Sequence, residues 1–209
     1  MQWIFVLVLA VAIANAVVYR WGISYNRRFI VETCRLVERV FQPADTEYTN
    51  IGGVVGFNMR YRLTPPLLTL QGTLTTAPRH TMFYAPITRL TGRGDSLILS
   101  ITAAELPAGE AHIVSRRHFE QGRVQLDDVA DMARTELPGR EFLVLAFNQW
   151  HRDRMVALFG AFEDVSSIIH IGFYGKTDCF SVVLNPATPS LEETLVRLRS
   201  ALISIAVPQ

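Results

Sequence analysis

Lysine is almost missing from this chain: Lys176 is the only one among 20 basic residues, and every other is arginine. That bias usually accompanies a GC-rich genome and points to a prokaryotic or archaeal source. Cysteine is nearly as scarce. Cys34 and Cys179 are too few for a disulfide scaffold, and neither has a C-x-x-C or Cys/His partner at metal-ligand spacing. Excess charge is missing too. A net charge of +1 leaves nothing to displace counterions, so DNA is excluded as a partner. With 49% hydrophobic and only 19% charged residues, the chain is not a disordered one. Internal repeats, linkers and low-complexity tracts are absent. No N-x-[ST] acceptor occurs.

The longest gap in charge is at the start. Residues 1–19, MQWIFVLVLAVAIANAVVY, carry no ionisable side chain except the terminal tyrosine. As a helix they reach about 28 Å, close to the ~30 Å of a bilayer's hydrocarbon. Trp3 stands near one end and Tyr19 and Trp21 near the other, as interfacial anchors do. A cleaved signal peptide is the rival reading, because Ala14-Asn15-Ala16 fits a small-x-small cleavage site. Against it, no basic segment precedes the apolar run, and the run continues through Val17-Val18-Tyr19. A retained anchor over residues 1–21 is expected, without lipidation signals. Arg20, Arg27 and Arg28 all follow it, so the positive-inside rule puts the amino terminus outside and the rest, residues 22–209, in the cytoplasm. In that reducing compartment both cysteines are expected to be free.

The remainder reads as an α+β domain, a largely antiparallel sheet packed with helices. Ile30, Cys34, Val37 and Phe41 mark one face of a helix over residues 27–41, which Gln42-Pro43 ends. Residues 54–62 and 67–75 alternate as paired strands around Pro65-Pro66, and 97–101 reads as another. Residues 80–90 are ambiguous, with Pro86 favouring a short or broken helix, and residues 92–95 signal a turn. A strand is expected over 111–119, a buried strand over 142–147 and a helix over 152–163. Residues 167–174 and 180–184 resemble a hairpin. Ser190-Leu191-Glu192-Glu193 reads as a capping box, followed by the helical seam Leu191, Leu195, Leu198, Leu202 and Ile205.

Motifs that would announce chemistry fail on context. Gly175-Lys176-Thr177 lacks the earlier glycine of a phosphate-binding loop, since His170 stands there, and strand-like residues follow it. Gly94-Asp95-Ser96-Leu97 spells a lipase/esterase tetrapeptide, but a strand follows the serine and no Asp-x-x-His occurs. Arg93-Gly94-Asp95 spells an adhesion tripeptide in what reads as a cytoplasmic turn. His80, His112, His118, His151 and His170 share no ligand spacing, so no metal or cofactor is expected, and His170 reads as a satisfied strand histidine. No enzyme is expected and no small-molecule substrate is identified. Candidate partner contacts are Asn15, the polar group of the span, Ala12 and Ala16 at small-xxx-small spacing, and the cationic Arg116, Arg117 and His118.

The order of elements from residue 1 to 206 resembles the calumin family, the coiled-coil-domain membrane proteins of the PAT complex. The nearest stretch runs Met155-Val156, then Asp164-Val165-Ser166-Ser167 and His170, a glycine turn, Phe180 to Asn185-Pro186, and the final helix. A weaker correspondence covers residues 67–101. The resemblance implies an outside amino terminus, one span and a cytosolic α+β domain acting as a scaffold or chaperone partner in membrane-protein insertion. Its partners would be other membrane proteins, the translocon or insertion machinery among them. The family's acidic outer segment and basic C-terminal coiled coil are not present in this sequence, which puts calcium and ribosome binding in doubt. The alternative is a membrane-tethered small-ligand-binding or sensory module.

Overall fold

A computed structural model describes residues 2–82, 84, 94–106, 109–124, 126, 129–175 and 177–206. The helix expected around Pro86, the start of the turn at Gly92 and Lys176 of the hairpin turn lie outside the described residues. The span and the first domain helix, separate in the sequence reading, form one helix, α1 (Gln2–Phe41), about 60 Å long. Its first half is long and apolar enough to cross a membrane, with a mean hydropathy of 2.1 and no buried residue in the most apolar window. Its second half buries Ile30, Cys34, Val37, Val40 and Phe41 in the domain core. The sequence between, from Arg20 to Arg28, contains charge and Gly22 but no proline, so nothing there stops a helix.

Nine strands follow: β1 (Asp45–Asn50), β2 (Gly56–Arg62), β3 (Leu67–Thr75), β4 (Ser96–Ala103), β5 (Ala111–Ser115), β6 (Ala133–Glu136), β7 (Phe142–Ala146), β8 (Ile168–Tyr174) and β9 (Cys179–Leu184). They make a single sheet in the order β1-β2-β3-β4-β9-β8-β5-β7-β6, and every pairing is antiparallel. The helices α2 (Arg116–Glu120), α3 (Gln149–Gly160) and α4 (Leu191–Ala206) complete the domain. The expected α+β class, with an apolar N-terminal helix ahead of an antiparallel sheet, is therefore what the chain adopts. Two corrections are local. The expected strand 111–119 ends at Ser115 and turns into α2. The Ser190 hydroxyl pairs with Ser166 at 2.9 Å, and Glu193 holds Arg197, so the expected capping box is not made.

Period-two alternation gives the sheet two unlike faces. Leu70, Leu74, Leu97, Leu99, Ile101, Phe180, Val182 and Leu184 point to one side, where α1, α3 and α4 close the main core. On the other side, α2 and the turn at Val129–Asp131 cover only β5 and β7, through a small cluster of Val114, Met132, Leu143 and Leu145. The rest of that face, from β1 to β9, carries Gln71, Thr73, Ile98, Ser100 and Val183, and among the described residues no helix lies over it.

One junction ties α1 to the sheet. A Cβ on Gly22 would lie 2.4 Å from the His80 amide nitrogen, so only glycine lets the chain at residues 79–80 touch the helix. One turn on, Asn26 is fully buried. Its amide donates to the Val54 carbonyl at 3.1 Å and the Ala77 carbonyl at 2.8 Å, and its oxygen accepts from Arg79 at 3.1 Å. Arg79 lies over the Tyr25 ring at 4.7 Å and grips Asp95 with two bonds of 2.8 and 2.6 Å. Asp95 also accepts from the Ala77 amide at 2.9 Å. Removing one member of so buried a pair strands the other. Asp95→Ala is expected to destabilise the domain by about 3 kcal/mol in denaturant unfolding in mild detergent. The double variant Arg79→Met/Asp95→Leu should lose less than the two single variants together, which a double-mutant cycle reads directly.

Candidate functional site

Strand register assembles a group that spacing does not show. Ser100 of β4 faces Ser181 of β9, which faces Gly172 of β8, which faces His112 of β5. The row beside it runs Ile98, Val183, His170 and Val114. Gly172 has no side chain, and a Cβ there would sit 2.1 Å from His112 Nδ1, so the imidazole occupies the space the glycine leaves. The ring then reaches His170, with His170 Nε2 3.2 Å from His112 Nδ1. On its other side, His112 Nε2 lies 3.2 Å from the Glu110 carboxylate. Tyr174 sets its ring edge-on to His112 at 4.8 Å between centroids.

The tautomers follow from these contacts. With Glu110 accepting, His112 donates from Nε2, which makes its Nδ1 an acceptor. His170 therefore donates from Nε2 and keeps an unprotonated Nδ1. Both rings are buried, at 0% and 1% exposure. Burial pushes the His170 imidazole down to about 3, with the neighbouring His112 adding to the shift. His112 is also lowered, burial outweighing the opposing pull of Glu110. At neutral pH both imidazoles are neutral, and the line ends in a hydrogen-bond acceptor.

His170 lies in the wall of a cleft of about 1000 Å³ on the side of the sheet opposite α1, α3 and α4. Thr75, Ser96, Ile98, Ser181 and Val183 form its floor, and residues 121–124 after α2 form its far wall. Asp95 and His118 stand at its sides. Ser96 and Ile98 of β4 and Ser181 and Val183 of β9 share the floor because residues two apart on a strand point to the same face, so hydroxyls and apolar groups lie side by side there. A pocket of this size and mixed lining suits a small organic ligand.

The six residues that the sequence nominated as partner contacts do not converge. Ala12, Asn15 and Ala16 are exposed on the free half of α1. Arg116 pairs with Glu136 of β6 at 2.7 Å, Arg117 faces solvent, and His118 turns toward the cleft with its Nδ1 3.2 Å from the Ser115 hydroxyl. Burial, then Arg123 and Arg117, keep His118 below the ordinary imidazole range. Asp95 of the lipase-like tetrapeptide is held by Arg79, and Ser96 is the first residue of β4, one position ahead of the expected strand. The reading of His170 as a satisfied strand histidine is half of the finding: its partner, His112, stands 58 positions away. The one local signal was Gly172 inside an apolar strand, a mark of close approach. Among the described residues, no group of three metal-ligating side chains is found. No protein-family model matches the chain, and no curated protein matches it.

The histidine line makes stability depend on pH. Each imidazole has a lower affinity for protons when folded than when unfolded, where the ordinary value is 6.5. Its contribution is complete above that value and is lost as pH falls below it. The unfolding free energy of the intact chain is expected to drop between pH 6.5 and 4.5 by up to about 1.4 kcal/mol per pH unit from His170, with His112 adding in the same direction. His170→Gln should flatten that slope in denaturant titrations at several pH values.

Proposed function

We propose that the chain is a single-pass membrane protein whose α+β domain binds a small polar ligand in the cleft over β4, β9 and β8. The observation that carries this reading is the buried Glu110–His112–His170 line, whose last ring lies in the wall of the cleft. An apolar core has no need of it, and the neighbouring Leu143 and Leu145 fill equivalent positions with hydrocarbon. The ligand class follows from the lining. It offers an N–H or O–H to His170 Nδ1, polar atoms to the Ser96 and Ser181 hydroxyls, and an apolar edge to Ile98 and Val183. The reading is one of binding, with the histidine line fixing the ligand's orientation. The arginines at 20, 27 and 28 support an amino terminus outside and the domain in the cytoplasm.

A scaffold or chaperone partner in membrane-protein insertion is the second reading. The exposed Ala12, Asn15 and Ala16 favour it, as do β1 and β6, two sheet edges with every residue exposed. The resemblance in element order to the calumin family points the same way. Here Ala12 and Ala16 would receive a neighbouring helix, and Arg117 would be the free cation of the 116–118 cluster.

A thermal-shift screen of small polar molecules against the intact chain in nanodiscs separates the two. Ligand binding is expected to raise the midpoint for wild type, with about tenfold weaker binding by His170→Gln, the worth of one hydrogen bond. Gly172→Ala should abolish the response, because its methyl displaces His112. A screen without hits, beside copurification of insertion-channel subunits in mild detergent, would move the assignment to the scaffold. Protease protection in sealed vesicles checks the orientation: the domain should be cleaved only when the cytoplasmic face is outward.

A further inference from the structure

A second concavity lies on the other side of the junction, between α1 and the β1–β2 hairpin. It encloses about 550 Å³. Ile30, Val31 and Cys34 form one wall, and Tyr48, Val54 and Phe57 the other. Burial, with Glu38 adding, pushes the Cys34 thiol up to about 11, so it is a neutral, apolar surface. Val31 remains 41% exposed and Ile51, at the hairpin turn, 52%, so the domain's own core leaves this apolar surface open.

The groove begins about two helical turns beyond the span. Its members on α1 start at Arg27, about 12 Å along the helix from Tyr19, and reach Glu38, about 28 Å away. A headgroup layer is about 6 Å deep, and an arginine stem reaches back toward it. Charge is unequal at the two ends. The membrane-side end has Arg27, with Arg28 and Arg20 nearby and no carboxylate among its lining residues. At the far end, which Arg35 also lines, the Glu38 carboxylate accepts the Tyr48 hydroxyl, and Tyr48 in turn meets Tyr61 at 2.7 Å.

We infer that this groove takes one acyl chain of an anionic bilayer lipid. The headgroup pairs with Arg27 at the membrane-side mouth, and the chain leaves the bilayer to lie along Ile30, Val31 and Cys34 as far as Phe57. The occupant is a lipid because the apolar groove begins on α1 about two turns beyond the span, with Arg27 at that end able to reach back toward the bilayer surface. It is an anionic one because the membrane-side end of the groove is lined by Arg27, with Arg28 and Arg20 nearby, and by no carboxylate.

The test uses the intact chain in phosphatidylcholine vesicles doped with phosphatidylglycerol that carries a diazirine at the end of one acyl chain. After irradiation, peptide mapping is expected to find adducts in residues 30–34 and 54–57 as well as in the span. Val31→Trp, at an exposed position, fills the groove and should cut the groove adducts about tenfold, what roughly two displaced methylenes are worth. Adducts in the span should persist and report that the variant is folded and inserted. Val54→Trp, from the opposite wall, repeats the test independently. The same diazirine chain on phosphatidylcholine should label the groove less, and Arg27→Gln should erase that difference. Adducts confined to residues 2–19, or groove adducts that neither tryptophan reduces, would overturn the site. Equal labelling from both lipids would overturn the headgroup assignment. Neither result depends on the cleft ligand, because His170 and its neighbours lie outside the groove.

Discussion

Everything in this molecule depends on how a helix half outside the domain is held to the sheet. A 40-residue helix with an unburied first half acts as a lever on whatever fixes it. The hold comes from Asn26, Arg79 and Asp95, with Gly22 admitting the chain that carries Arg79. Each polar atom of Asn26 is used, and Asp95 is saturated by Arg79 and the Ala77 amide. A fully satisfied polar network of this kind adds direction where apolar packing alone would tolerate rotation. Trp21, Tyr25 and Phe29 stack along the same flank, and Arg79 lies over the last two. The helix therefore enters the domain at one angle, and the sheet's pose is fixed relative to the span.

Both proposed sites grow from that junction. Asp95, at its end, lines the cleft, and Val54, whose carbonyl receives the Asn26 amide, lines the groove. The sheet's asymmetry explains why the two are so unlike. On the helix side, α1 meets the twisted hairpin β1–β2 only along part of its length, which leaves a slot walled by side chains meant for a core. On the opposite side, the strands alternate outward hydroxyls and aliphatics, and α2 with its following turn raises one wall. The slot is apolar and open toward the membrane end of the helix. The cleft is mixed and faces away from the main core.

Legibility in the sequence follows burial. The strand 67–75 and the final helix were readable because their apolar residues repeat with the period of the element they form, and 97–101, 142–147 and the hairpin at 167–184 because they are short apolar runs bounded by turn signals. β1 (DTEYTN) and β6 (ARTE) left no such trace: both are sheet edges, every residue is exposed, and their ladder bonds depend on backbone alone. The continuity of α1 was hidden for the same reason, since residues 20–28 change environment, not conformation. Of the site, Gly172 was the only readable sign. The contact between His112 and His170 depends on β8 lying beside β5, a long-range pairing that no local pattern specifies. The 116–118 cluster is dispersed because like charges adjacent in sequence point in different directions around a single helical turn.

The histidine line is better explained by use than by stability. Register places Val114, Leu143 and Leu145 next to it on the same face, where Met132 and the residues after α2 pack on them as ordinary hydrocarbon. A leucine at 112 would extend that cluster without desolvating two imidazoles and a carboxylate, and would remove the need for a glycine at 172. Glycine inside a strand weakens it, and buried imidazoles are held below their ordinary proton affinity. Three residues and one missing side chain thus work against the local fold at a single point. That point is where the sheet meets the cleft, and perturbed titratable groups concentrated at a concavity are what a binding site requires. The line fixes a neutral acceptor in one tautomer, which a solvent-exposed histidine does not do.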